Sequence, residues 1–126
     1  MNDLNFKTEN TEFGQYLRLV RQAKKISIRQ LAKEVSKTPT YISDIENGNN
    51  KPPEIELLNK ILAALQLADF PDVRNKLYDS AAKERKDVPA DIKEYIIKNK
   101  SILKIIRIIK ENPNEKKIWA KISQII

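Results

Sequence analysis

The chain of 126 residues has no cysteine and no histidine. The first absence excludes disulfides, thiolate nucleophiles and thiolate metal sites. The second excludes histidine triads, imidazole bases and histidine-ligated zinc. An enzyme built on this sequence has carboxylates, lysines and hydroxyls alone to work with, and no cluster of acids stands out. We therefore expect no catalytic residues, no metal and no cofactor. Glycine occurs only twice, which removes phosphate-cradling loops such as GxGxxG and suits an all-helical chain. No run approaches the ~20 apolar residues that span a bilayer. The N-terminal MNDLNFKTENTEFGQ lacks the apolar core of a signal peptide. The expectation is a soluble, cytoplasmic protein with no membrane partner.

What is present is charge. Lys and Arg number 24 and Asp and Glu 17, a net +7 with an isoelectric point near 9.6. A surplus of that sign favours polyanions such as nucleic acid or acidic membrane faces. Apolar residues make up 40% and charged residues 33%, a globular composition on a chain long enough to bury a core without staples.

The apolar residues repeat at helical spacing throughout. Residues 1–11 have little periodicity and read as a flexible arm. From position 11 onward Phe13, Leu17 and Val20, with Tyr16 beside them, share one face, with Asn10 or Thr11 as the expected cap. Ser27 followed by Gln30 is a capping box, and Ile28, Leu31, Ala32 and Val35 form the inward side of the helix it opens. Thr38-Pro39 reads as a cap followed by proline at the first helical position. That third, short helix turns Tyr41, Ile42 and Ile45 inward and stops at Asn47-Gly48. A fourth helix is expected over 54–66, and a fifth over 70–83 with Phe70, Val73, Leu77, Tyr78 and Ala81 buried. Three more are expected near 89–98, 101–111 and 114–126. No repeat and no strand pattern appears, so the fold class is all-α.

Residues 27–48 give two short helices with a tight join at Ser36-Lys37-Thr38. That is the layout of a helix-turn-helix, whose second helix enters the major groove. The start of that helix offers Thr38, Pro39, Thr40 and Tyr41, free backbone N–H groups and a positive dipole that suits phosphates. Thr, Ser and Tyr hydroxyls and Thr methyls can meet base edges. Between residues 14 and 51 there are eight basic residues and three acids, net +5. This is either an ordinary solvated face or an electrostatic footprint for phosphates.

Residues 13–67 resemble the lambda-repressor-like helix-turn-helix domain of the Cro/CI and XRE regulators. The sharpest pieces are Ile28-Arg29-Gln30-Leu31-Ala32, the run Tyr41-Ile42-Ser43-Asp44-Ile45-Glu46-Asn47-Gly48, and Lys51-Pro52-Pro53. The stretch LYDSAAKERKDVPADIKEYI is also similar to the extension of one bacterial XRE subgroup. The resemblance implies a lambda-repressor-like five-helix DNA-binding domain followed by a C-terminal helical extension, of bacterial or phage origin. It implies base reading by Thr40 and Asp44, with Pro39, Tyr41 and Ser43 beside them. It implies phosphate contacts from Ser27, Asn47 and Lys51, and a structural ion pair between Arg21 and Glu46; Arg29, Lys33 and Lys37 of the basic footprint and Thr38 at the start of the third helix are the other expected phosphate contacts. Two of these stay open. Tyr41 is a base reader or only a core residue, and Asp44 either accepts from a cytosine amino group or is simply solvated.

Residues 88–126 hold twelve isoleucines. In SILKIIRIIK charge falls only at Lys104, Arg107 and Lys110, which share one face, so two-thirds of that helix is apolar and needs cover on several sides. A second subunit through Ile105, Ile106, Ile109, Trp119 and Ile122 is one cover. A helix-turn-helix dimer reads two half-sites about 34 Å apart. Packing on its own chain is the alternative, and Trp119 reads as core rather than a ligand platform. Ser101 and Lys104 have only helical spacing, without the β-rich context of an autoproteolytic dyad. The expected division is 1–11 arm, 12–67 DNA-binding domain and 68–126 extension for dimerisation or partner binding. The leading expectation is a dimeric repressor on double-stranded DNA with a palindromic operator. The alternative is an antitoxin that autoregulates its promoter and covers a toxin with residues 88–126.

Overall fold

The computed structural model describes residues 12–126. The expectations for residues 1–11, a loose arm and a cap at Asn10 or Thr11, lie outside them. The described residues form eight helices and no strand: α1 (Phe13–Ala23), α2 (Ile28–Glu34), α3 (Pro39–Glu46), α4 (Ile55–Ala64), α5 (Pro71–Arg85), α6 (Ala90–Lys98), α7 (Lys100–Lys110) and α8 (Glu115–Ile125). The all-α expectation holds.

Local chemistry explains where the helices start. Gln30 N–H donates to Ser27 Oγ at 3.0 Å and Ser27 N–H donates to Gln30 Oε1 at 2.7 Å, so both halves of the capping box close. Tyr41 N–H donates to Thr38 Oγ1 at 3.0 Å, with Pro39 in the first turn. Glu12 occupies the cap position of α1 but its side chain caps nothing. Instead the Phe13 N–H donates to Glu84 Oε2 at 2.6 Å. A carboxylate from α5 thus closes the start of α1, where the helix dipole favours negative charge.

The helix ends are less expected for so little glycine. Lys25, Ser36, Gln66 and Lys86 all take left-handed backbone, with φ of 58, 59, 58 and 54°. Each closes the same pair of bonds: Lys25 N–H to Gln22 C=O with Ile26 N–H to Arg21 C=O, and the equivalent pair after α2, α4 and α5. These are Schellman ends built without glycine. The two glycines serve elsewhere. Gly48 takes φ +79° after α3, and Gly14 faces the end of α3.

The core belongs to one compact unit that runs to Asp91. Phe13, Leu17 and Val20 of α1, Leu31 of α2, Ile42 and Ile45 of α3, and Leu58, Ile61 and Leu62 of α4 are almost fully buried. Val73, Leu77, Tyr78 and Ala81 of α5 join the same cluster. Burying each large apolar side chain contributes about 1.5–3 kcal/mol. Phe70 corrects its expectation. It precedes α5, holds extended backbone, and is 54% exposed.

Residues 92–126 form the second compact unit, holding most of α6 together with α7 and α8. Here Ile109 is the one buried residue. Two expectations are corrected. Trp119 is 40% exposed rather than core. Ile109 is covered within its own chain and is not open to a partner. With 100° per residue it lies near the centre of the α7 apolar stripe, beside half-buried Ile102 and Ile106. Ile105 is 54% exposed, and Ile122 is half-buried. No helix among the described residues is long and apolar enough to cross a membrane.

Candidate nucleic-acid interface

The join between α2 and α3 is three residues of tight geometry. Ser36 takes the left-handed conformation that lets Lys37 N–H reach the Ala32 C=O at 2.9 Å. α3 then leaves in a new direction with its first turn outward. Thr38, Pro39 and Thr40 are exposed, while Tyr41, Ser43 and Asp44 are half-buried. On the other side of the helix Ile42, Ile45 and Glu46 are buried. The two faces of an eight-residue helix are thereby assigned, one to the core and one to solvent.

An ion network fixes that helix. Arg21 grips Glu46 through two parallel bonds, Nε to Oε2 at 2.6 Å and Nη2 to Oε1 at 3.0 Å. Both side chains are almost wholly buried. The third arm of the guanidinium, Nη1, donates to the Ile26 carbonyl at 2.9 Å and ties in the α1–α2 corner. Such a bidentate pair adds direction as well as energy. Its value is in holding α1 and α3 in register, since a buried pair is weak evidence for net stability. No buried side-chain N or O among the described residues lacks a hydrogen-bond partner, so the polar cluster is fully satisfied.

Arg18 was not singled out from the sequence, yet it extends this network onto the exposed face. Its Nε reaches Glu46 Oε1 at 3.4 Å and its Nη2 donates to Asn47 Oδ1. Asn47 Nδ2 in turn donates to Ser43 Oγ at 3.3 Å. The available signal was its position three residues before Arg21, one turn away on the same side of α1.

The expected phosphate-contacting side chains Ser27, Arg29, Lys33, Lys37, Thr38, Asn47 and Lys51 are all exposed. Ser27 and Thr38 use their oxygens as cap acceptors, which leaves each hydroxyl hydrogen to donate outward. The Lys37 ammonium lies over the Tyr41 ring, 5.2 Å from its centroid. Burial pushes the Tyr41 hydroxyl above its ordinary range, so it stays protonated at neutral pH. After exposed Lys51, Pro52 and Pro53 are buried and bring the loop back to α4. No group of three or more His, Cys, Asp or Glu that could hold a metal occurs among the described residues.

A helix-turn-helix family model matches residues 17–69. That segment is a helix-turn-helix domain of the XRE and Cro/CI type. The match covers α2, α3 and α4 whole and α1 from Leu17 onward. The chain is also similar to the HTH-type transcriptional regulator SlrR of Bacillus subtilis (strain 168), 35% identical over 68 residues. That alignment takes in 52% of this chain and 45% of the relative, so the chain covers less than half of that protein. No solved structure matches.

Proposed function

We propose that the chain is a sequence-specific transcriptional repressor that acts as a dimer and reads a palindromic operator with α3. Pro39, Thr40, Tyr41, Ser43 and Asp44 meet base edges. Ser27, Arg29, Lys33, Lys37, Thr38, Asn47 and Lys51 meet phosphates. Occupancy of the operator then blocks promoter DNA. The observation that carries the reading is the first turn of α3. Its Thr38, Pro39 and Thr40 stand exposed on a helix whose opposite face is pinned by the buried Arg21–Glu46 pair. Rigid presentation of small polar groups beside exposed cations is what groove reading requires.

Selection from random duplexes with the purified protein, with its mass in solution measured alongside, tests this directly. Thr40→Ala or Asp44→Ala is expected to weaken binding to the selected site by about 1–3 kcal/mol and to random DNA far less. Lys51→Ala is expected to weaken both and to lower the salt slope by about 1. Equal binding of selected and random duplexes by the parent protein sinks the reading.

The second reading is an antitoxin whose residues 88–126 cover a toxin. Exposure of Ile97 (65%), Ile105 (54%) and Ile108 (57%) on a single chain favours it. A toxin gene beside this one, or a mass in solution of one chain only, moves the balance toward it.

A further inference from the structure

We infer that the second compact unit, residues 92–126, carries its own site for the phosphate backbone of duplex DNA, formed by Lys100, Lys104 and Arg107 of α7. The inference rests on the chain being DNA-binding and adds a contact outside the helix-turn-helix domain.

The first observation is how the charge divides. Residues 92–126 contain nine basic and three acidic residues, a net +6. Residues 1–91 contain fifteen and fourteen, a net +1. Almost the whole surplus of the molecule therefore sits in its smaller unit. In the larger unit Arg18 and Arg21 are matched to Glu46, and Arg85 to Glu54. Lys100, Lys104 and Arg107 form no ion pair with an acid among the described residues.

The second observation is direction. At 100° per residue, Lys100, Lys104 and Arg107 fall within one narrow arc opposite buried Ile109. The stripe points outward whether or not another chain covers the isoleucines nearer Ile109. The three cations span about 10.5 Å of helix rise. One strand of a duplex presents about three phosphates over that axial length. Together with Ile96, Ile97, Leu103 and Ile108 they line an open groove, in which Glu111 at the far end is the one acid.

Charge complementarity selects the occupant. A second copy would set the groove's three cations and one acid, a net +2, against the same +2, whereas a polyanion neutralises them. The helix-turn-helix domain brings duplex DNA to the same chain. Tethering raises the effective concentration of backbone seen by the second unit to about the millimolar range.

The test compares the parent full-length protein with the triple variant Lys100→Gln/Lys104→Gln/Arg107→Gln on a random-sequence duplex over a series of sodium chloride concentrations. These residues are exposed on a helix, so the fold is expected to survive, which circular dichroism checks. The slope of log K against log salt should fall by about 2–3, near 0.9 per phosphate lost. The charge-preserving variant Lys100→Arg/Lys104→Arg/Arg107→Lys should restore it. An unchanged slope overturns the inference. So does an unchanged slope joined to lost binding of phosphatidylserine–phosphatidylcholine vesicles, or to a changed mass in solution, either of which assigns the stripe to lipid or to protein. Failure of the underlying reading looks different: the parent itself would then show no preference for any duplex in the selection experiment.

Discussion

A methyl group on Gly14 would sit 2.3 Å from the Glu46 carbonyl oxygen and 2.6 Å from that of Ile45. Both obstacles are backbone, so neither can swing aside. The two helices that bracket the Arg21–Glu46 pair approach so closely that only hydrogen fits between them. Gly14→Ala is therefore expected to destabilise the protein by about 2–3 kcal/mol, even though alanine is the better helix former. Urea unfolding measures it, and an unchanged midpoint would mean that α1 and α3 lie further apart. This constraint was invisible in the sequence, where a lone glycine in a helical pattern carries no sign of what it faces. The Arg21–Glu46 pair was legible only through resemblance, because residues 25 apart have no local signature. Arg18 was legible only as lying one turn before Arg21, and its bond to Asn47 not at all, since long arginines reach partners that spacing does not specify.

Elements were read well where their chemistry is local. Ser27 with Gln30, and Thr38 with Pro39, announce their helices because cap and partner lie three residues apart. The ends themselves fall where expected, at Lys24 and Asn47, but their left-handed backbone was not legible, for the complementary reason. Lys25, Ser36, Gln66 and Lys86 adopt a conformation associated with glycine and give no hint of it in their type. Each costs about 1–2 kcal/mol of local strain relative to right-handed backbone. Ser36→Gly should therefore raise stability by about 0.5–1 kcal/mol, after the extra chain entropy of glycine is subtracted. Thermal unfolding checks it. A lower melting temperature would show that the Ser36 side chain contributes more than its backbone costs. Phe70 and Trp119 were misplaced because a 3.6-residue period marks apolar faces without saying which of them find cover.

At the scale of the molecule the two units differ in kind. The first buries side chains from five helices, while the second, of 35 residues, buries Ile109 alone. Units below about 40 residues usually need a metal, a crosslink or a partner to be stable. Amide exchange in residues 92–126 is accordingly expected to slow as protein concentration rises, with residues 13–85 unaffected. Mass spectrometry at two concentrations reads both at once, and concentration-independent exchange would argue against association through this unit. The helical character of both units was legible in periodicity. The expected division after residue 67 and the compact unit reaching Asp91 differ because of α5. Its apolar stripe of Val73, Leu77, Tyr78 and Ala81 is plain in the sequence, but a stripe does not name the core it joins.

The bond from Phe13 N–H to Glu84 has a practical corollary. The stretch that looks like other proteins and the stretch that can stand alone are different lengths. A fragment trimmed to the family match at residue 69 would discard the carboxylate that begins its own first helix and strip one wall from its interior. Anyone transplanting this domain onto another scaffold must take the chain as far as Asp91. Inheritance by gene fusion would meet the same boundary.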